Sequence, residues 1–436
     1  MSTSFVMKNK FIIYLSLVFL TGLWSCKNED SVFEQTADER VNASLETYQK
    51  QLLDAQYGWK GVIYPGGGGI YSFYFKFNDQ NRVVMYSDFD KTSAVTARES
   101  SYRLKALQTP ALLFDTYSYL HVLADPEGLV NGGPYGDGLT SDFEFTFRAD
   151  TLNTGNITLI GTKNRSRLVL TKATQEEAAA YGNGGLGKAL LFSNINLYPI
   201  YFKRITVGGI TYEINANTDD RSITFTWLEG SVRKTFTTGY YNSSLGISFV
   251  TPLVNGSQTI TGFTNLTWDA SKLSLSLTAG TSAVTVLGAA KPISPDLTAP
   301  RKWWQFALDK DSYWISENGF NVEGKEDYFG VNSIPNYGYM LFFPAIAASQ
   351  GTTYDAFAAY DGSALMGPAV VPTFSTDGRV TFSVLGTYGT NQLMNTTVLK
   401  QVEDASGYYL VQKSNIRYDM VSAKDGKTWI SWWYPF

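Results

Sequence analysis

Cys26 is the residue whose type and position point most directly to chemistry, because it is the only cysteine in this 436-residue chain. Lys8 and Lys10 precede an apolar run over residues 11–20. Leu23-Trp24-Ser25 then leads to the cysteine. A basic start followed by a short apolar run is the layout of a secretory signal peptide. A cysteine at its cleavage point predicts lipidation of the thiol, which would make Cys26 the new N-terminus.

Two other interpretations of this segment are a membrane-spanning anchor and an ordinary cleaved signal with an unrelated cysteine. The apolar run is ten residues long, whereas a spanning helix needs roughly 20. A disulfide is excluded because there is no second cysteine to pair with. We therefore predict a lipoprotein signal peptide over residues 1–25, a tether over residues 26–36, and membrane attachment through the lipid on Cys26.

The residues that directly follow Cys26 carry a second localisation signal. Lys27-Asn28-Glu29-Asp30 places acidic side chains behind the lipidated position. This arrangement resembles the surface-export signal of Bacteroidetes lipoproteins. The resemblance implies a lipid-anchored protein of the outer membrane that is exposed at the cell surface.

His121 is the only histidine, which limits the catalytic and metal chemistry of the chain. A zinc site of the histidine type needs more than one such ligand. A Ser-His-Asp triad would have to use His121 with Asp115 or Asp125, and no G-x-S-x-G elbow supplies the serine. Because its neighbours are apolar, we predict a partly buried structural histidine.

The glycine-rich segment 182–188 matches both a dinucleotide-binding fingerprint and the first seven positions of a phosphate loop. Both motifs require a preceding strand and a following helix. Here a helix-like stretch precedes the glycines, and Ala189 stands where a serine or threonine would bind magnesium. We predict a turn between domains and no nucleotide cofactor.

Two clusters of polar residues could in principle supply a catalytic pair of carboxylates or a calcium site. One cluster of carboxylates near Trp314 and Phe320 could supply the paired acids of a glycosidase, although exposed loop charge is the simpler interpretation: Glu317, Glu323, Glu326 and Asp327. The second cluster, Asn217, Asp219 and Asp220, lacks the spacing of a known calcium loop. We predict no metal site and no catalytic residue.

Tryptophan is concentrated in the last third of the chain. We expect most of these side chains to be buried and one or two to be exposed, where they would stack on sugars or anchor a protein interface. The tryptophans are Trp303, Trp304, Trp314, Trp429, Trp432 and Trp433.

Composition excludes one class of partner and favours one class of fold. The net charge is −4, and it becomes −6 without residues 1–25, which carry Lys8, Lys10 and no acid. A nucleic-acid partner is excluded because phosphate binding needs clustered basic residues. Aromatic residues make up 15% and charged residues 17%, a mixture that suits β-strands joined by polar turns.

The pattern along the chain predicts a mainly β fold with minor helix, as antiparallel sheets in barrel-like or sandwich domains. Residues 37–57 predict an N-terminal amphipathic helix, since apolar positions recur at spacings of four and three. Residues 71–77 alternate, and residues 82–86 are their predicted hairpin partner.

We predict three domains. The first, residues 37–188, contains the helix and a β domain. The second, residues 189–290, reads almost entirely as strand and turn. A proline-rich linker then leads to a third β-rich domain, residues 301–436, with one or two helical turns over residues 303–308.

Several short motifs, concentrated between residues 38 and 175, are shared with a known family. They include Gly58-Trp59-Lys60, Ser101-Tyr102-Arg103-Leu104, Phe114-Asp115-Thr116-Tyr117, His121 and Ser141-Asp142-Phe143-Glu144-Phe145. With them the chain resembles the Bacteroidetes surface lipoproteins of the domain-of-unknown-function family 4302. The resemblance implies a surface lipoprotein, often encoded near TonB-dependent uptake proteins of the SusC/SusD type. It implies no catalytic residue.

We therefore expect a non-enzymatic, lipid-anchored binding accessory to an outer-membrane nutrient uptake system of the SusC/SusD kind. Its expected partners are the membrane, TonB-dependent uptake proteins, and a glycan or another nutrient. Two alternatives stay open: a carboxylate-based hydrolase such as a glycosidase, and a structural or adhesive surface protein.

Overall fold

The computed structural model describes residues 37–106, 109–148, 155–346, 351 and 353–435. Their strands form three antiparallel sheets that follow one another along the chain. The first sheet is a closed barrel and the third is joined into a ring, so the predicted mainly β fold with antiparallel, barrel-like sheets is confirmed. Within these described ranges, no helix has both the length and the apolar character that a membrane crossing requires.

The first sheet is a closed barrel of eight strands, in which β1 pairs with β8. Its interior is filled by buried aromatic and aliphatic side chains such as Phe73, Phe75 and Phe145. Two short helices, α2 (Tyr119–Ala124) and α3 (Gly128–Asn131), lie between β5 and β6. Strands β1 to β8 are Trp59–Tyr64, Tyr71–Phe77, Arg82–Ser87, Arg98–Ala106, Pro110–Phe114, Glu144–Phe147, Asn156–Gly161 and Arg167–Lys172.

Helix α1 (Ala37–Leu53) packs against the barrel, where Tyr48 stacks on Phe147 with ring centroids 4.0 Å apart. It ends four residues before the predicted Tyr57. Trp59 begins β1 and donates its indole N–H to the carbonyl of Leu52 at 2.9 Å. That hydrogen bond satisfies one of the carbonyls that every helix end leaves unpaired.

The second sheet has nine strands in the order β16-β15-β14-β13-β12-β11-β10-β9-β17. Helices α4 (Gln175–Gly182) and α5 (Gly185–Ala189) and a 3-10 helix, Leu190–Leu197, connect it to the barrel. Strands β9 to β17 are Phe202–Val207, Ile210–Asn217, Ser222–Glu229, Val232–Ser243, Gly246–Asn255, Gln258–Asp269, Ser274–Ala279, Ser282–Thr285 and Leu287–Ala289.

Residues 190–197 are helical, so the prediction that this part of the second domain is strand is wrong. Phe192 and Ile195 are buried in the core of the second sheet. Tyr198 follows them and donates its hydroxyl to the carbonyl of Val286 at 2.9 Å. A helical spacing of three puts both apolar side chains on one face, whereas a strand spacing of two would separate them.

The third sheet is a ring of eight strands, because a bridge between Ile315 and Trp433 joins β18 to β26; β19 adds to β26. Helix α6 (Ala299–Asp309) packs against its core with Trp303 and Ala307, and it is longer than the predicted one or two turns. Strands β18 to β26 are Trp314–Ser316, Asn321–Val322, Tyr339–Phe343, Asp355–Tyr360, Leu365–Phe374, Arg379–Tyr388, Tyr408–Ser414, Arg417–Ser422 and Thr428–Trp433.

Short helical segments complete the third sheet: a 3-10 helix, Val331–Ser333, a π-helix, Leu393–Val398, and α7 (Leu399–Val402). Helix α6 begins with Pro300 in its first turn, where a missing backbone N–H costs nothing. The last residues of the predicted proline-rich linker therefore belong to this helix.

A buried ion pair joins the first barrel to the second sheet. Arg221 donates to the carboxylate of Asp88, which is fully buried, and to the carbonyl of Ile70 at 2.6 Å. Asn242 also donates to Asp88, at 3.0 Å. The aromatic ring of Tyr71 lies 4.8 Å from the guanidinium carbon. The two units therefore meet through a network in which every charge has a partner.

Candidate functional site

A cleft of about 1000 Å³ lies between the outer faces of the second and third sheets. Strands β10, β11 and β12 form one wall, and strands β24, β25 and β26 form the other. Its size is within the range of ligand pockets in proteins. It is therefore the candidate functional site.

The wall from the second sheet presents hydroxyl and amide groups. Asn215, Thr224 and Thr237 stand side by side across three strands. The hydroxyls of Thr224 and Thr237 are 2.9 Å apart. Strand alternation points these side chains outward because the intervening Ile214 and Phe225 fill the core.

The wall from the third sheet combines charged, hydroxyl and aromatic groups. Arg417 pairs with Trp433 across β25 and β26, and Asp419 pairs with Ser431. The intervening Trp432 lies in the core of the ring. This alternation leaves one indole, that of Trp433, partly buried at the cleft.

The two walls are held together at a junction beside the cleft. Tyr201 donates its hydroxyl to Asp419 at 2.6 Å and its backbone N–H to the carbonyl of Gly426 at 2.8 Å. Phe202 packs with Tyr409 and Val421 in an apolar cluster shared by both sheets. These contacts hold the two walls in a fixed relation.

Burial changes the protonation of two groups at this junction. It lowers the pKa of Lys203 to about 8, and the nearby positive charge of Lys413 acts in the same direction. Burial also raises the pKa of Glu213, although its carboxylate accepts a hydrogen bond from the backbone N–H of Ile293 at 2.8 Å. Lys413 donates to Asn215 and so connects one wall to the other.

The lining of the cleft carries more negative than positive charge. Six of its side chains are carboxylates and three are cationic. They are Glu213, Asp219, Asp220, Glu317, Glu326 and Asp419, with Arg233, Lys413 and Arg417. This balance disfavours a polyanionic ligand.

The four carboxylates of the predicted glycosidase cluster do different things. Glu317 and Glu326 line the cleft. Glu323 pairs with Lys427 at 2.8 Å. Asp327 accepts backbone N–H groups from Val331 and Asn332, both at 3.0 Å, and so organises its own loop.

Asn217, Asp219 and Asp220 line one end of the cleft, at the turn between β10 and β11. Asn217 accepts the backbone N–H of Asp219 at 3.0 Å, which is a turn-stabilising contact. Within the part of the chain that the structure describes, no group of three or more histidine, cysteine or acidic side chains is arranged to hold a metal ion.

Three of the six predicted tryptophans are buried and three are partly buried. Trp303, Trp314 and Trp432 are at most 1% exposed. Trp304, Trp429 and Trp433 are partly buried. The expectation of one or two exposed tryptophans is wrong for these six side chains, since the rings that reach solvent do so only in part.

His121 is buried, and both of its ring nitrogens contact the backbone. Nδ1 accepts the N–H of Ser118 at 3.2 Å, and Nε2 lies 3.1 Å from the carbonyl of Phe114. The imidazole is stacked between Tyr117 and Phe143. Burial lowers the pKa of His121, which favours the neutral ring. The predicted burial of His121 is confirmed.

The other motif residues also stabilise the first barrel. Arg103 makes two hydrogen bonds to Asp115, at 2.7 and 2.8 Å. Asp142 accepts the backbone N–H groups of Lys163 and Asn164, each at 2.9 Å. Segment 182–188 ends α4 and begins the five-residue α5, so a helix precedes it and not the strand that a phosphate loop requires.

One predicted site residue lies outside the described part of the chain, and three residues of the cleft were not predicted from the sequence. Cys26 lies outside the described residues, so its lipidation stays a prediction. Asn215, Thr224 and Thr237 were missed because a cleft wall made of hydroxyls and amides has no motif. The only signal was their alternation with apolar residues, which also describes any solvated sheet face.

Fold and cleft together define a mainly β protein with its candidate site between two sheets. The sequence matches the family described as "Domain of unknown function (DUF4302)" over residues 29–270, more than half of the chain. The chain belongs to this family. The match includes the wall formed by β10, β11 and β12 and ends before the third sheet.

No curated protein matches this chain. Among solved structures, the DNA polymerase III beta chain of Streptococcus pneumoniae TIGR4 aligns at 10% identity over 91% of this chain and 97% of its own, with a TM-score of 0.13. The Streptococcus pyogenes beta subunit aligns at 7% identity over 92% and 98%, with a TM-score of 0.14. At these scores the alignments establish no common fold.

Proposed function

We propose that this chain is a lipid-anchored lipoprotein of the outer membrane, exposed at the cell surface, that binds a hydroxyl-rich nutrient such as a glycan. It acts without catalysis as an accessory to a TonB-dependent uptake system. Cys26 carries the anchor, and the cleft between the second and third sheets carries the ligand.

The cleft is the observation that carries this proposal. Its walls offer threonine hydroxyls, asparagine amides and the indole of Trp433. Hydroxyl and amide groups both donate and accept hydrogen bonds, which is what a ligand with many hydroxyls requires. An indole adds an apolar surface for the carbon-bound faces of a sugar ring. The signal sequence and the acidic residues after Cys26 support the location.

A glycan array and calorimetry with residues 27–436 test the ligand. We expect binding that falls at least fivefold in the double variant Thr224→Val, Thr237→Val, because each lost hydrogen bond costs about 0.5–1.5 kcal/mol. The matched control is Thr206→Val, Thr211→Val. It removes a similar outward hydroxyl pair, 3.0 Å apart, on the same sheet but outside the cleft.

Absence of binding to every glycan, together with no outer-membrane partner in a pull-down, would rule out the accessory role. Sugar analysis after incubation separates binding from hydrolysis. Release of shortened chains that stops in Glu317→Gln or Glu326→Gln would favour the hydrolase alternative, since both carboxylates line the cleft.

The anchor has an independent test in cells. We expect a fatty-acid analogue to label the wild-type chain and not Cys26→Ala, because the thiol is the only one available for acylation. Labelling that persists in Cys26→Ala would contradict lipidation at this residue. Protease treatment of intact cells then measures whether the anchored chain is exposed at the surface.

A further inference from the structure

A group of aromatic rings lies on the outer face of the third sheet, on the side away from its core. Tyr313, Tyr339, Phe343 and Tyr360 are partly buried there, around Leu341. We call these four rings the aromatic face. The planes of Tyr313 and Tyr339 differ by 15°, and their centroids are 6.2 Å apart. These four side chains are not part of the core of the third sheet, which is filled by other aromatic side chains.

Small side chains allow the rings to lie close to the sheet. Ala356 and Ala358 point outward from β21, yet both are fully buried. Phe343 pairs with Ala356 across β20 and β21, and Tyr339 pairs with Tyr360. The rings therefore cover the alanines and keep part of their own surface open.

The aromatic face continues directly from the cleft. Arg417 in the cleft wall pairs with Trp433, Trp433 pairs with Ile315, and Ile315 pairs with Leu341. These four residues form one row across neighbouring strands, which lie about 4.8 Å apart. Trp433 belongs to both regions, since it lines the cleft and packs with the residues of the aromatic face.

The charge of the cleft and the tyrosine side chains of the aromatic face together favour one class of ligand. Six carboxylates against three cations in the cleft disfavour an acidic chain. Partly exposed tyrosine rings provide apolar surface and a hydroxyl on the same side chain. A neutral sugar presents apolar C–H faces and polar hydroxyls, so it complements both.

We propose that the site takes an extended, neutral oligosaccharide, which begins in the cleft, crosses Trp433 and continues over Tyr339 and Tyr360. This rests on the proposed function and adds the class and length of ligand. A mono- or disaccharide would fill only the cleft. Longer chains gain affinity by reaching the aromatic face.

Calorimetry on the full chain with neutral linear glucose, mannose and xylose oligosaccharides, from disaccharide to octasaccharide, tests this. We expect affinity to rise with length. Tyr339→Ala and Tyr360→Ala should each lower affinity for the longest chains about two- to tenfold and leave disaccharide binding unchanged. Tyr135→Ala, on a tyrosine 83% exposed in the first barrel, is the matched control.

Melting temperatures establish that each variant is folded. Tyr339→Phe keeps the ring and removes only the hydroxyl, so it should lower long-chain affinity less than Tyr339→Ala does. Affinity that is independent of length, or stronger binding of an oligogalacturonate of equal length, would overturn this inference and leave the proposed function standing. Failure of every oligosaccharide to bind would overturn this inference, and it would overturn the proposed function as well if the glycan array and the pull-down also found no partner.

Discussion

Lys203 shows how the junction between two sheets controls the charge of a single residue. Its ammonium donates to the carbonyl of Tyr201 at 3.1 Å. Burial and the positive charge of Lys413 lower its pKa to about 8, and Asp419 opposes that shift only in part. Near neutral pH the folded protein therefore holds a cation at a position that disfavours it.

We expect Lys203→Met to raise the free energy of unfolding by about 1–3 kcal/mol at pH 7, because a charge no longer has to be buried. The folded pKa is about 8 and the unfolded value 10.5. Between these two pH values the unfolded wild type binds more protons than the folded wild type does. The free energy of unfolding of the wild type therefore rises with pH. The advantage of the variant should shrink across that window.

Thermal melting from pH 6 to 11 measures this difference. Lys234→Met is the control, because Lys234 is 45% exposed beside Glu229 and should show no comparable pH dependence. A Lys203→Met advantage that stays constant above pH 8 would contradict the assigned shift.

Sequence alone was informative for isolated residues and uninformative for the cleft. His121 was predicted to be partly buried because apolar neighbours surround the only histidine. The cleft residues come from strands far apart in the chain and become a site only when two sheets meet. Glu317 and Glu326 were noticed as charges, but their place at the cleft depends on that same contact.

At the scale of elements, the corner between α1 and β1 depends on Gly58. Its φ is +78°, a backbone conformation that residues with a side chain rarely adopt. A Cβ there would lie 2.6 Å from the carbonyl oxygen of Phe75. Both the turn and the close approach of β2 require glycine.

We expect Gly58→Ala to lower the free energy of unfolding by about 2–4 kcal/mol, because backbone strain and a steric clash add. Gly68→Ala is the matched control. Gly68 also has a positive φ, +94°, but a Cβ there would meet nothing within 4 Å. Its cost should stay near 1–2 kcal/mol. Urea unfolding measures both, and equal losses would show that the close approach is unimportant.

Strand alternation predicted the first hairpin of the barrel, and the failures of that pattern elsewhere have physical causes. Residues 71–77 pair with residues 82–87 as expected, since one buried face fixes the register. The 3-10 helix Leu190–Leu197 was missed because eight mostly apolar residues satisfy more than one period. The π-helix Leu393–Val398 has no sequence pattern of its own, and packing of Met394 and Val398 positions it.

At the scale of the whole molecule, the Asp88–Arg221 pair unites two units. Both side chains are at most 10% exposed. Removing one member of a buried pair leaves the other charge without compensation. The first barrel and the second sheet should therefore unfold together in the wild type.

We expect Asp88→Asn to lower the free energy of unfolding by about 3–5 kcal/mol and to separate the melting of the two units in a calorimetric scan. The control is Glu99→Gln in the Arg82–Glu99 pair, where both side chains are nearly half exposed. That change should cost less than about 1 kcal/mol. Indistinguishable scans for the two variants would contradict a lock at Asp88.

Ring closure also has a consequence for the order of folding. From β20 to β26, neighbouring strands of the third sheet follow one another in the chain, so their hairpins form from local contacts. The bridge between Ile315 and Trp433 joins the first and last strands, and Arg221 reaches Asp88 across 133 residues. Contacts between distant residues form slowly because the intervening chain must first be ordered. The hairpins of the third sheet should therefore form early. Closure of that sheet through Ile315 and Trp433, and docking of the first barrel on the second sheet, should be the late, rate-limiting events.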